Sequence, residues 1–318
     1  MPIKEEDPWR MQYFQGVDCP ESVWIPTEDG DAYLWYPRHR WVYNKMLVCE
    51  TQGIPYAPHG VPPAHYPVFS KPIYNMRGMS TGSRIIHSYK DYRQHQEPGH
   101  FWMTLLEGEH ISTDVAMVAG EPVWWRHATG IELDGGMFDY WTVHAESRPE
   151  LETYCGRWLR EHLPDYTGMV NLETIGVRII EVHLRFADQW PDLYGAGWVQ
   201  SLVRLYAEGR WEFDDSRRTT GYSVALFGGH GLRYRHPDPE LVQDLLNLPT
   251  ISSVQITFHE DRPPATHAMP PGGFRLAIVN CSDLEAGFAA RQRLALSYWS
   301  TQQLYGRRRR SLPLNQMV

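Results

Sequence analysis

The segment from Gly168 to Phe186 constrains the fold of this chain more than any other, because polar and apolar residues alternate in it on both sides of a central glycine. Side chains along a β-strand point to opposite faces in turn. The segment therefore predicts a β-hairpin with one apolar and one charged face. The apolar face contains Val170, Leu172, Ile180, Val182, Leu184 and Phe186, and the charged face contains Asn171, Glu173, Glu181, His183 and Arg185.

The length of the turn around Gly176 decides whether the two acids meet. If three residues stay unpaired, Glu173 lies opposite Glu181 and Asn171 opposite His183, whereas a two-residue loop puts the acids on opposite faces. Two facing carboxylates repel each other unless a cation lies between them. Oxygen donors of this kind suit Mg²⁺ or Mn²⁺. An exposed hairpin whose polar face meets only water explains the same alternation equally well.

Length and composition restrict the class of protein. With 318 residues, of which 42% are apolar, the chain can bury a large core and divide into two or three lobes. No apolar run approaches the roughly 20 residues that cross a bilayer, and the acidic start lacks the regions of a signal peptide. We therefore expect a cytoplasmic protein with no membrane partner. A formal charge of −8 argues against nucleic acid as a partner, because phosphate binding needs clustered cations.

The cysteines and histidines predict no zinc site. The four cysteines lie far apart and form no CxxC pair, so a disulfide framework is not indicated either. The histidines show neither the HxxxH nor the HExxH spacing of a metal-binding helix. A zinc hydrolase is therefore disfavoured.

The pattern upstream of the hairpin predicts a small lid. It consists of a strand from Pro67 to Lys71, a loop with Asn75, Gly78 and Gly82, and a second strand from Ser83 to His87. A strand from Phe101 to Leu106 then opens a larger antiparallel sheet. Helical spacing predicts helices over four segments, Val42 to Gln52, Leu151 to Leu163, Gly197 to Tyr206 and Leu284 to Tyr298.

The phrase IIEVHLRF, Ile179 to Phe186, resembles the metal strand of the ATP-grasp superfamily. That strand usually has two hydrophobic residues, Glu, a hydrophobic residue, Asn, a variable residue and Arg. The resemblance implies that Glu181 is a Mg²⁺ ligand and that Arg185 contacts the transferring phosphate or acyl phosphate. The other acid of the family corresponds to Glu173, with Asn171 as the alternative, and His183 stands where the family has its metal-binding Asn.

The resemblance continues upstream in the order of the family. The phrase YNKMLVCETQGIPYAPHG is similar to a segment with Asn, Lys, a helix and Gly-Ile-Pro, and YPVFSKPIYNMRGMSTGSRII is similar to the lid. By position, Lys45 and Lys71 correspond to the lysines that neutralise ATP phosphates, and Gly78, Ser80 and Gly82 belong to the loop over them. A compact ammonium group suits a phosphate as a point charge.

The phrase FWMTLLEGEHISTDVAM is similar to the hinge of the family and to its Leu-x-Gly-Glu-x-x-Ser strand. The similarity implies that backbone groups at Met103 and Leu105 meet adenine and that Glu109 accepts hydrogen bonds from ribose hydroxyls. Without the resemblance, Glu109 is better interpreted as a solvated carboxylate in a turn.

The fold class that the resemblance implies is α+β, an ATP-grasp fold with a small lid and a larger antiparallel sheet flanked by helices. We expect an arm and helix over residues 1–62, a lid with the phosphate loop over residues 63–102, and the main unit with a C-terminal extension over residues 103–318. The stretch before Lys45 is too short for the usual leading domain of the family, so we expect an arm wrapped on the body.

The function that the resemblance implies is ATP-dependent ligation, with ATP and Mg²⁺ or Mn²⁺ as cofactors. A carboxylate is activated as an acyl phosphate, and an amine or another nucleophile attacks it, which forms a C–N or similar bond and releases ADP and phosphate. We expect small-molecule carboxylate and amine substrates and allow for a homodimer. The alternative is a non-catalytic ATP-binding or regulatory protein, which His183 in place of Asn favours.

Overall fold

The computed structural model describes residue 5, residues 7–76 and residues 81–310, with side chains as far as Tyr298. Gly78 and Ser80 of the predicted phosphate loop lie outside the described residues. A small antiparallel sheet has the strand order β1-β4-β2-β3. Its strands are β1 (Tyr56–Pro58), β2 (Val68–Pro72), β3 (Arg84–Ile86) and β4 (His100–Thr104).

The strand β4 belongs to this small sheet and does not open the larger one, so that prediction is wrong. It pairs with β2 on one side, with Met103 opposite Phe69, and with β1 on the other. The reason is apolar packing: Phe101 and Met103 are buried together with Cys49 and Ile54 in a core of their own. The division of the chain into units at residues 62 and 102 stays a prediction.

A large antiparallel sheet of eight strands has the order β11-β12-β10-β7-β6-β5-β8-β9. The hairpin β8–β9 forms one edge, and β12 lies near the other. The strands are β5 (His110–Val118), β6 (Glu121–Leu133), β7 (Met137–Val143), β8 (Gly168–Ile175), β9 (Arg178–His183), β10 (Gly221–Gly228), β11 (Ile251–Ile256) and β12 (Phe274–Cys281).

Helices pack against the sheets, as in the predicted α+β class. They are α1 (Pro8–Met11), α2 (Asp29–Trp35), α3 (Lys45–Glu50), α4 (Tyr89–Gln94), α5 (Pro149–His162), α6 (Trp198–Glu208), α7 (Pro239–Leu246) and α8 (Leu284–Arg310). The helix α5 starts with Pro at its first position and ends with basic residues in its last turn, which favours both ends. No helix in the described part of the chain is long and apolar enough to span a bilayer.

The β8–β9 hairpin closes with a two-residue loop, Gly176–Val177. By loop length alone, Glu173 and Glu181 would lie on opposite faces, and that inference is wrong. The register shifts between Glu173 and Thr174, where Ile180 is an extra residue on β9, which is a β-bulge. The bulge brings Glu173 opposite Glu181, so the predicted pairing is confirmed, but a bulge causes it and not a three-residue turn.

The bulge also changes the membership of the apolar face. Val182 and Leu184 pack in the core under α5, as predicted, and Ile179 joins them there. Ile180 packs instead against the core of the small sheet. Phe186 packs in a separate core around Trp198. The prediction that Ile180 and Phe186 share the apolar face of Val182 and Leu184 is therefore wrong.

Candidate active site

A cavity of about 630 Å³ lies between the small and the large sheet. Backbone and side chains of the segment Met103 to Leu106 form one wall, and β8 and β9 form the opposite wall. Apolar residues such as Met103 and Leu105 and charged residues such as Lys71 and Glu173 line this cavity together. The predicted site residues that line it are Lys71, Gly82, Met103, Leu105, Glu173 and Glu181.

Two buried lysines contact Glu181, one of the acids that line the cavity. The Nζ atom of Lys45 lies 3.1 Å from Oε1 of Glu181, and that of Lys71 lies 3.5 Å from the same oxygen. Lys71 also donates a hydrogen bond of 2.9 Å to the carbonyl of Ile180, the bulge residue. Burial lowers the pKa of Lys71, against the opposing effect of Glu181. Burial raises the pKa of Glu181, but the two ammonium groups hold it below its ordinary value.

Lys45 owes its position to the start of α3. The side chain of Asn44 caps this helix by accepting a hydrogen bond of 3.1 Å from the backbone N–H of Met46. The backbone N–H of Lys45 donates to the carbonyl of Ile73, next to β2. The first residue of the helix is therefore attached to the small sheet, while its side chain reaches the large sheet.

Glu173 is paired with His110, which the sequence analysis did not single out. Nε2 of His110 lies 3.4 Å from Oε2 of Glu173. Burial raises the pKa of Glu173, but His110 outweighs it and lowers that pKa to about 2. Burial likewise lowers the pKa of His110, but Glu173 raises it above its ordinary value. Each of the two facing acids thus has a cationic neighbour of its own.

His183 and Arg185 share the carboxylate of Asp29, a residue of the N-terminal arm that sequence reasoning missed. Nδ1 of His183 lies 3.1 Å from both carboxylate oxygens of Asp29. Arg185 contacts the same group through Nε at 3.0 Å and a terminal nitrogen at 3.1 Å. Burial raises the pKa of Asp29, but Arg185 and His183 hold it well below its ordinary range. The arm is therefore part of the site.

Asn171 is held by a buried acid behind it. Its amide nitrogen donates hydrogen bonds to Oγ of Ser112 at 2.9 Å and to Oδ1 of Asp114 at 2.8 Å. Burial raises the pKa of Asp114 to about 6. Because the amide nitrogen of Asn171 donates to Ser112 and Asp114, its amide oxygen is the atom that could bind a cation.

The predicted metal donors are of the types that suit a divalent cation. Nδ1 of His183 donates to Asp29, an assignment that follows from the hydrogen bond, so Nε2 carries the lone pair. This Nε2 is buried without a hydrogen-bond partner and lies 3.8 Å from Oε2 of Glu181. An imidazole oriented by a carboxylate behind it is a common metal ligand.

In the described arrangement, the lysines and His110 occupy the positions near the acids that a cation would take. Consistent with this, no group of three or more His, Cys, Asp or Glu residues in the described ranges is arranged to hold a metal ion. Donor atoms of the right types are present, among them the unpartnered Nε2 of His183. To bind a metal ion together with this Nε2, the carboxylates of Glu173 and Glu181 would have to turn toward it.

Glu109 is not among the residues that line the cavity, and the ribose contact expected of it stays a prediction. Its side chain is half exposed, and Arg148 holds its carboxylate at 2.5 Å. An exposed acid in a turn pairs with the nearest cation, and here that cation lies outside the cavity. Glu132 of β6 does line the cavity, and its carboxylate lies 3.6 Å from Nδ1 of His110.

A second cavity, of about 190 Å³, adjoins the first at the facing acids. Glu173, Glu181, His110 and Phe138 line both cavities. The second cavity extends past the hairpin toward β10 and β12. Its further charged and polar lining residues include Asn171, His183, Arg185, Asp29, Arg10, Asp188 and Arg275.

The solved structures that match this chain include ligases and synthetases. Phosphoribosylamine-glycine ligase from Thermotoga maritima is 14% identical, has a TM-score of 0.59, and matches over 90% of this chain and 85% of that chain. L-amino acid ligase from Bacillus licheniformis is 12% identical, has a TM-score of 0.58, and matches over 81% of this chain and 71% of that chain. The chain has the ATP-grasp fold.

The ATP-grasp fold predicted from the order of the motifs is therefore confirmed. N5-carboxyaminoimidazole ribonucleotide synthetase from Thermus thermophilus is a further match, with 12% identity, a TM-score of 0.56, and coverage of 91% of this chain and 84% of that chain. Identities this low establish the ATP-grasp fold alone. No family model matches the chain, and no curated protein sequence matches it.

Proposed function

We propose that this chain is an ATP-dependent ligase that activates a carboxylate for attack by an amine or another nucleophile. The observation that carries the proposal is the junction of two cavities at the facing acids Glu173 and Glu181. A cavity of the size of ATP and a smaller, charged cavity beside it would hold the two substrates of a phosphoryl transfer next to each other. Three neighbours of the same fold, which carry the names of ligases or synthetases, support this assignment.

ATP would occupy the larger cavity. Lys45 and Lys71 would turn from Glu181 to the phosphates, and Gly82 lines the same cavity. Backbone groups at Met103 and Leu105 would meet adenine. Glu132 replaces Glu109 as the acid for the ribose hydroxyls, since it lines the cavity.

A divalent cation, Mg²⁺ or Mn²⁺, would be held by Glu173, Glu181, Nε2 of His183 and the amide oxygen of Asn171. Bound there, it would offset the negative charge of the triphosphate. Asp29 would keep His183 in the tautomer that presents Nε2.

The reaction would run at the boundary of the two cavities. An oxygen of the substrate carboxylate forms a bond to the γ-phosphorus of ATP as the bond to ADP breaks, which gives an acyl phosphate. The amine then attacks the acyl carbon, and phosphate leaves. Arg185, fixed by Asp29, would stabilise the charge on the transferred group.

The test is release of ADP by the purified chain with Mg-ATP and a panel of carboxylates with amines. We expect ADP formation with at least one pair and its loss in Glu181→Gln. The matched control is Glu121→Gln, an exposed acid paired with Arg160. The absence of ADP with every pair, together with an unchanged ATP affinity in Glu181→Gln, would contradict the proposal.

A non-catalytic ATP-binding protein is the second candidate. It is favoured by the two lysines on Glu181, which neutralise the acid without a metal, and by His183 in the position of the family's Asn. It predicts that ATP binds equally well with and without Mg²⁺ in calorimetry and that no phosphate is transferred. Tighter ATP binding with Mg²⁺ would favour the ligase.

A further inference from the structure

Arg275 is a buried arginine of β12 that lines the second cavity. The residue is only 8% exposed. Its Nε is buried with no hydrogen-bond partner, and its guanidinium forms no salt bridge with any residue that the structure describes. A guanidinium stays charged at neutral pH and has only donors. Such a group buried alone lowers stability unless a ligand completes it.

The other two arginines of this cavity are already neutralised. Arg185 is bound through a forked contact to Asp29. Arg10 is surrounded by four carboxylates, those of Glu5, Asp7, Glu28 and Asp188. Asp188 is the acid with the largest electrostatic effect on Arg275, but its carboxylate is engaged by Arg10. Among the described arginines that line the cavity, Arg275 is the one without a salt bridge.

A β-bulge points Arg275 into the cavity. Leu226 of β10 pairs with Ala277 of β12, and the next residue, Phe227, pairs with Arg275, so Leu276 is an extra residue. Neighbouring residues of β10 point to opposite faces, and so do their partners. Arg275 therefore lies on the face opposite Ala277, which packs in the core beneath α8.

In a regular strand, Arg275 and Ala277 would share a face, and the guanidinium would point into that apolar core. The bulge turns Arg275 instead to the face of Ala225 and Phe227, which line the cavity. Bulges that redirect a side chain are common next to active sites.

We propose that Arg275 binds an anionic oxygen group, a carboxylate or a phosphate, of the substrate that occupies the second cavity. The proposal rests on the proposed function, which assigns this cavity to a substrate. The planar fork of the guanidinium matches two anionic oxygens. Arg275 lies on β12, six strands from the Arg185 end of the sheet. Because Arg185 and Arg275 nevertheless line the same cavity of about 190 Å³, the anion that Arg275 binds belongs to the substrate in that cavity.

The test measures binding of malonate and of inorganic phosphate to the full chain in calorimetry, with ADP saturating the larger cavity. We compare the wild-type chain with Arg275→Met, Arg275→Lys and the control Arg93→Met, which changes an exposed arginine of α4. We expect one of the two anions to bind, and its affinity to fall at least about tenfold in Arg275→Met. Arg275→Lys should retain part of the affinity, and Arg93→Met all of it. Preference for malonate identifies a carboxylate, and preference for phosphate identifies a phosphoryl group.

Stability separates this role from a structural one. Arg275→Met removes an unpartnered buried charge, so the midpoint of thermal unfolding of the unliganded protein should rise, by about 2 °C or more. A lower midpoint with unchanged anion affinity would assign Arg275 to the core and overturn the proposal, as would a wild-type chain that binds neither anion. Failure of the wild-type chain to bind ADP would instead count against the proposed function, and Arg275→Met should bind ADP as the wild type does.

Discussion

Two β-bulges point charged side chains into the same small cavity, and they differ in what those side chains meet. At the β8–β9 end, Glu181 contacts two lysines, and His183 and Arg185 share Asp29. At the β10–β12 end, Arg275 forms no salt bridge with a described residue, its Nε has no hydrogen-bond partner, and Asp188, the acid that acts on it most strongly, is engaged by Arg10. At the first end the charged groups form ion pairs with one another, whereas at the second an anion that enters the cavity would supply the missing ion pair.

Removal of the shared carboxylate should disrupt the β8–β9 end most severely. Asp29→Ala leaves His183 and Arg185 buried without their acceptor, and loss of one partner of a buried ion pair costs about 3–5 kcal/mol. Urea unfolding would measure this change in the free energy of unfolding. Asp31→Ala, in the same first turn of α2, should cost less than about 1 kcal/mol. If the two variants are equally stable, the arm does not support the site.

The largest expected effect on turnover belongs to the lysine next to the bulge. Lys71→Met should leave Glu181 paired with Lys45 and the chain folded, but it should reduce ADP formation about 100-fold or more, because a positioned cation is lost from the phosphates. Lys90→Met, an exposed lysine of α4, is the control. Wild-type turnover in Lys71→Met would mean that the lysines serve stability only.

Asp29 and Arg275 mark the limit of what the sequence can predict. Lys71, Glu181 and Arg185 can be identified from the sequence, because strand alternation and the order of motifs are local properties. Asp29 cannot be identified in this way, because it lies in an aperiodic arm and meets His183 across 154 positions of the chain. Arg275 cannot be identified either, because no sequence pattern indicates the bulge at Leu276. Strict alternation predicts that the arginine points into the core.

The pair of Glu173 and His110 should make stability depend on pH in both directions. The pKa of Glu173 is lowered to about 2, so its contribution is complete above the ordinary carboxylate pKa and is lost as pH falls through the folded value. The pKa of His110 is raised, so its contribution is complete below the ordinary imidazole pKa and is lost as pH rises. The pair should be most stable between about pH 4.5 and 6.5.

The size of this effect is modest, because Glu173 is about one-third exposed. Solvent screening should reduce the contribution of the pair to about 1 kcal/mol. Urea unfolding of the wild type and of Glu173→Gln is measured at acid and neutral pH. The difference between their free energies of unfolding, plotted against pH, gives the contribution of the pair. Parallel curves would show that His110 and Glu173 do not interact in solution.

The smallest effects are expected for substitutions of Glu132 and Glu109, of which only Glu132 lines the larger cavity. Glu132 lines that cavity and Glu109 does not, although the motif resemblance favours Glu109. If Glu132 accepts ribose hydroxyls, Glu132→Gln should raise the KM for ATP about threefold to tenfold with little change in kcat, since it weakens binding before and during transfer alike. Glu109→Gln removes an exposed pair, which should cost at most about 0.5 kcal/mol of stability and leave KM unchanged. The reverse result would mean that Glu109 releases Arg148 when ATP binds, and the motif would then identify the ribose acid better than the unliganded geometry does.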